Sequence, residues 1–170
     1  MSYTEMLVVR KNGDVESYKE YRNSHLFAIP IWEYMWERYI GEKYSISSNH
    51  DVLWKLYNDE SILDADRAIL ASTYDNVVLK SENFLRFVID AKQMPPRFCE
   101  YHIVTIIEDI KSFFGNEDII GVCWNGTSIS CDFWNVPEGD EYCGDSRPYN
   151  IFKDDDHWFL YDALDKENKE

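Results

Sequence analysis

The chain has 170 residues, of which 32 are acidic and 17 basic, for a formal net charge of −15 at pH 7. That length supports one domain with a single sizeable core. A 45% hydrophobic and 16% aromatic content, against 7 Gly and 5 Pro, excludes a disordered, collagen-like or low-complexity chain. A surface this negative repels phosphate and anionic lipid, which argues against direct binding to nucleic acid or to a membrane.

Residues 1–10 put acidic Glu5 before a short apolar run, without the basic segment and longer apolar core of an export signal. No stretch approaches the roughly 18 uncharged apolar residues that span a bilayer. We therefore read the protein as cytoplasmic and soluble. Cys99, Cys123, Cys131 and Cys143 form no C-x-x-C pair and no zinc spacing, so reduced thiols are expected.

In chain order, Lys11-Asn12-Gly13-Asp14 separates two apolar runs, and Asn-Gly suits the positive φ angles of a two-residue type I′ turn, so a hairpin is predicted. Residues 30–40 repeat Ile31, Trp32, Met35, Trp36 and Tyr39 at helical spacing, closed by Gly41. Shorter helices are predicted over 49–57 and 64–71, with Ser48 and Ser61 as caps, then a strand over 74–80 and a helix from Ser81 that stops at Pro95-Pro96. Ile103, Ile106, Ile107, Ile110, Phe113 and Phe114 mark a further helix ended by Gly115.

A second hairpin is expected at Asn125-Gly126, with Val122 facing Ile129 and Ile120 facing Cys131. Its apolar side, with Val122, Trp124, Ile129 and Phe133, should pack on the Ile103–Ile110 stripe. A last strand over 157–161 puts Trp158 and Leu160 on one face and Phe159 and Tyr161 on the other, before a frayed polar tail from about residue 165. The fold class is α+β in one domain, residues 1–170. Its antiparallel sheet is built from the N- and C-terminal hairpins plus a middle strand, and is covered on one face by about four to five helices.

Residues 117–170 hold 14 acidic and 4 basic residues, two-thirds of the net charge. Aromatic residues alternate with these carboxylates. Tyr and Trp supply anchor area in interfaces, and surrounding carboxylates steer a basic partner. The candidate partner-binding residues are Glu138, Asp140, Glu141, Asp145, Asp154, Asp155 and Asp156 for steering, with Tyr142 and Tyr149 for contact.

Phosphate-loop, dinucleotide, serine-hydrolase and zincin signatures are all lacking, so no catalytic residue, cofactor or metal is assigned. Cys99 and His102 sit three apart, as a thiolate–imidazole pair on a helix would, but a small thiol near a helix start explains them as well. Asp154 to Asp156 with His157 lack the spacing and glycine of a calcium loop. In size, charge and want of catalytic motifs the chain is similar to antidote proteins of nuclease toxins and to phage or plasmid proteins that mimic DNA, a likeness of composition that covers no motif. It implies an inhibitor-like protein engaging a basic surface, including one that itself holds nucleic acid. The alternative is a small enzyme or ligand-binding domain with an aromatic-lined pocket.

Overall fold

Two strands, β1 (Tyr3–Arg10) and β2 (Val15–Arg22), open the chain as an antiparallel hairpin. The turn differs from the one predicted. Gly13 donates its N–H to the Arg10 carbonyl and Arg10 donates to the Asp14 carbonyl, both at 2.8 Å, which encloses three residues instead of two. Gly13 takes the left-handed conformation, with φ +90°, that such a loop requires. A computed structural model describes residues 3–22, 28–41, 43–45, 50–98, 101–126, 133–137 and 146–167.

The apolar repeats fold as helices α1 (Ala28–Tyr39), α2 (His50–Tyr57) and α3 (Asp64–Ala71), followed by β3 (Val77–Lys80). A single 3-10 turn, Ser81–Asn83, leads into α4 (Phe84–Ala91), and α5 (Tyr101–Ser112) ends before Gly115, whose φ is +78°. Ser61 does not cap α3. Its hydroxyl donates to Asp59 at 2.6 Å, and Leu63 stands at the cap position. Ser48 and Cys99 lie outside the described residues.

Strand β4 (Ile119–Gly126) sits at the centre of a five-stranded sheet of order β2-β1-β4-β3-β7, where β7 is Trp158–Phe159. All pairings are antiparallel except β3 with β7. This overturns the second predicted hairpin. Val122 pairs with Val8 of β1 on one side and Leu79 of β3 on the other, so both edges of β4 are filled where Ile129 was expected. Asn125 and Gly126 form no turn at all: they continue the strand opposite Glu5 and Thr4. Two adjacent strands from distant parts of the chain outcompete the local return, because a central position satisfies both rows of backbone groups. Residues 127–132 lie outside the described set.

Strand alternation sorts the core into two clusters. Met6, Val8, Val77, Leu79, Val122 and Trp124 join buried side chains from each of the α-helices among the described residues, including the Ile103, Ile106, Ile107 and Ile110 stripe and Leu164 of α6 (Leu160–Glu167). Leu7, Val9, Val15, Val78 and Cys123 point the other way, onto Trp134 and Tyr149. Phe133 therefore packs on the face opposite the one expected, with Trp134. Two register shifts tune these faces. One between Val9 and Arg10 lets Ile119, not Ile120, share the helical side with Val122. The other, between Met6 and Leu7, leaves Tyr18 unpaired and turns Lys19 and Tyr21 toward α5.

There Asp109 accepts from the Lys19 ammonium at 2.8 Å and from the Tyr21 hydroxyl at 2.6 Å. The C-terminal strand also stops earlier than predicted. After Phe159 the chain becomes α6, so Leu160 and Tyr161 enter the helical layer together, and Asp165 is helical where a frayed tail was expected. The apolar set Leu160, Tyr161 and Leu164 has helical period, and Asp165 binds Arg86 of α4 at 2.8 Å.

Candidate functional site

Between β4 and β7 the described chain forms a small ribbon, β5 (Asn135–Pro137) paired antiparallel with β6 (Ser146–Pro148), and then a turn that leans on the N-terminal hairpin. Asn150 organises that turn. Its side-chain amide donates to the Asn12 carbonyl at 3.1 Å and to Asp14 at 2.7 Å, while its amide oxygen accepts from the Phe152 N–H at 2.9 Å. Backbone bonds from Val15 to Tyr149 and from Ile151 to Gly13, both 2.9 Å, add two further ties. Asn150 is buried, and a buried amide so fully satisfied holds the loop to one geometry.

Arg147 and Asp154 close the loop from the other side. The two guanidinium nitrogens donate to the two carboxylate oxygens at 2.8 and 2.6 Å, and Asp154 also accepts the Asn150 N–H at 2.8 Å. Those hydrogen bonds, with Arg147 first, pull the Asp154 carboxyl down to about 2. Asp154 is thereby neutralised in place and serves the loop's structure. Asp155 and Asp156 remain exposed.

Tyr149 corrects a sequence expectation. The sequence places it among the exposed contact residues, yet it is 2% exposed, with Phe133, Trp134 and His157 packed around its ring at centroid distances of 5.3, 5.2 and 5.7 Å. The open face of the sheet needs an apolar cover, and Tyr149 and Trp134 provide it. The Tyr149 hydroxyl lies 3.0 Å from Nδ1 of His157. Burial pushes the His157 pKa below the usual imidazole value despite the neighbouring aspartates, so this ring adds no positive charge to the surface at neutral pH.

Phe152 is the ring that this loop exposes. It is 65% exposed, the most exposed large apolar side chain among the described residues, and its ring lies over Gly13. A Cβ on Gly13 would stand 2.5 Å from the Phe152 ring, so the glycine is what lets the ring settle there. Phe152 was visible in the sequence only as one of several interleaved aromatics. Glu138, Asp140, Glu141, Tyr142 and Asp145 lie outside the described residues. Of the nine predicted residues, Asp155 and Asp156 are exposed, while Asp154 is paired with Arg147 and Tyr149 is buried.

The buried carboxyls elsewhere belong to the helical layer. Asp66 accepts from the hydroxyls of Tyr34, at 2.9 Å, and Tyr39, with Arg38 at 3.4 Å. Asp90 accepts from the Tyr161 hydroxyl at 2.6 Å, and burial raises its pKa. Both are occupied in joining helices, and no group of three His, Cys, Asp or Glu among the described residues is arranged to hold a metal ion. No helix among the described residues is long and apolar enough to cross a membrane. Compared with known proteins, the chain matches no family model, no curated protein and no solved structure.

Proposed function

We propose that this is an acidic interaction protein of the inhibitor, antidote or nucleic-acid-mimic kind, acting in the cytoplasm on a basic protein surface through its C-terminal third. One observation carries this reading: a loop fixed by Asn150 and by the Arg147–Asp154 pair exposes the Phe152 ring, and the exposed Asp155 and Asp156 follow three and four residues later, in the third of the chain with 14 acidic and 4 basic residues. An apolar anchor on a rigid mount loses little entropy on binding. The carboxylates around it, with Glu138, Asp140, Glu141 and Asp145 from the same third, supply a long-range field that raises encounter rates with a positive partner.

The test begins with capture of a partner and continues with stopped-flow association at several salt concentrations. Asp155→Asn with Asp156→Asn should slow association and flatten its salt dependence, since rim charges act within about 10 Å at 0.1 M salt. Phe152→Ala should leave association nearly unchanged and speed dissociation by about tenfold or more. Rates indifferent to salt and to all three substitutions would reduce the acidic surface to a solubilising one.

A further inference from the structure

On the opposite side of the sheet from the Phe152 loop, α4 and α5 lie side by side and antiparallel, with an unpartnered apolar surface along them. Leu85, Ile89, Val104 and Phe114 are each 45–60% exposed, although all four are large apolar residues. Single exposed apolar residues are ordinary; four along one helix pair are not. Two hollows mark the ends of this surface. The first, of about 440 Å³, is formed where α4 begins and α5 ends, by Phe84, Leu85, Phe113 and Phe114 with Glu82 and Glu117 at its rim. The second, of about 330 Å³, is formed by Met94, Val104 and Ile107 with Lys92 and Glu108 beside them.

Leu85 of α4 and Lys92, the residue that caps its C-terminus, are seven residues apart, so the hollows are separated by about 10 Å along the helix axis. Two turns of another α-helix span the same distance. Apolar side chains at positions i and i+7 of a bound helix, with an i+3 or i+4 residue over Ile89, match this spacing. Charge at the first hollow selects the occupant, since the second carries one residue of each sign, Lys92 and Glu108. The first hollow is lined by no basic residue, while Glu82 and Glu117 are exposed at its edge and enter no ion pair among the described residues. A second copy of this chain would bring another −15 to the same place.

We propose that the α4/α5 groove is a docking site for a basic amphipathic helix of a partner protein, seated by apolar residues in the two hollows with Lys or Arg side chains reaching Glu82 and Glu117. This site is independent of the Phe152 loop and goes beyond the function assigned to it. Tyr18, whose ring meets Phe113 edge-on at 4.8 Å, extends the apolar floor onto the sheet edge and gives the bound helix a stop.

The probe is a labelled synthetic peptide of about 18 residues, with Leu at i, i+3, i+4 and i+7 and Lys on the remaining face. A scrambled peptide of the same composition controls for non-specific attraction to an acidic protein. Anisotropy titrations at about 0.15 M salt use the full chain. The amphipathic peptide should bind about tenfold or more tightly than the scrambled one. Leu85→Ala with Phe114→Ala should remove that advantage, and Glu82→Gln with Glu117→Gln should weaken binding a few-fold and flatten its salt dependence. All four positions are surface-exposed, so circular dichroism should show the fold unchanged.

Equal binding of the two peptides, no binding, or indifference to the groove substitutions overturns the proposal. Loss of binding only in the Asp155→Asn, Asp156→Asn variant also overturns it, and leaves the loop surface standing, so the two sites fail separately. Sedimentation that shows a dimer dissolved by Leu85→Ala with Phe114→Ala would make the occupant a second copy and likewise overturn it.

Discussion

Arg147 holds Asp154 through two parallel hydrogen bonds of 2.6 and 2.8 Å, and this pair fixes the loop that carries Phe152. The Asp154 carboxyl ionises at about 2 in the folded chain, against an ordinary value of 3.8. Because the folded value is the lower one, the stabilisation is complete above about pH 4 and is lost as pH falls through about 2. Denaturant midpoints for the parent and Asp154→Asn should differ by at most about 2 kcal/mol at neutral pH and converge near pH 2. A constant difference across that range would show that the pair contributes nothing.

Gly13→Ala should destabilise the hairpin by about 1 to 3 kcal/mol, from a non-glycine residue held at positive φ. The added Cβ also meets Phe152 Cδ2 at 2.5 Å and Asn150 Oδ1 at 2.8 Å. The substitution should therefore shift the Phe152 and Asn150 resonances as well as lower the melting temperature. A melting temperature equal to the parent's would mean that the loop does not rest on this glycine.

Ile107 is buried in the core cluster of the helical layer, whereas Val104, one turn earlier, is 47% exposed. Ile107→Ala should cost about 2 to 5 kcal/mol in urea unfolding and Val104→Ala no more than about 0.5. Equal effects would misplace the buried face of α5.

Burial first, then the Asp66 carboxylate, pushes the Tyr39 phenol up to about 12. Burial likewise raises Tyr21, Tyr34 and Tyr161, each bound to a carboxylate. A folded value above the unfolded one near 10 gives stability that is intact below pH 10 and lost as pH rises toward 12. Phenolate absorbance from these rings should appear together with loss of the circular dichroism signal. Their ionisation well below the unfolding transition would show the hydroxyls to be solvated.

Local rules read α3, α5 and the first hairpin well, because the apolar period of the helices and the turn residues of the hairpin each lie within a few residues of one another. The same rules failed at Asn125-Gly126, where a turn dipeptide was drawn into the sheet by Glu5 and Thr4 from the other end of the chain. They failed again at Leu160, where two apolar residues in succession fit a strand as well as a helix start until Leu164 and Asp165 find the helical layer. In the candidate surface, charge pointed to Asp155 and Asp156, and both are exposed. Which ring faces solvent was not legible.

By itself, then, the amino-acid sequence determined the α+β class, most helix positions and the acidic character of the last third, since composition and short-range periodicity carry those properties. The tertiary structure decided the order of strands, the two register shifts that turn Ile119 and Tyr21 toward the helices, and the burial of Tyr149 with the exposure of Phe152. Both rings belong to one short loop of similar polarity. Only the apolar face left open by Leu7, Val9, Val78 and Cys123 on the distant sheet determines that Tyr149 goes in and Phe152 stays out.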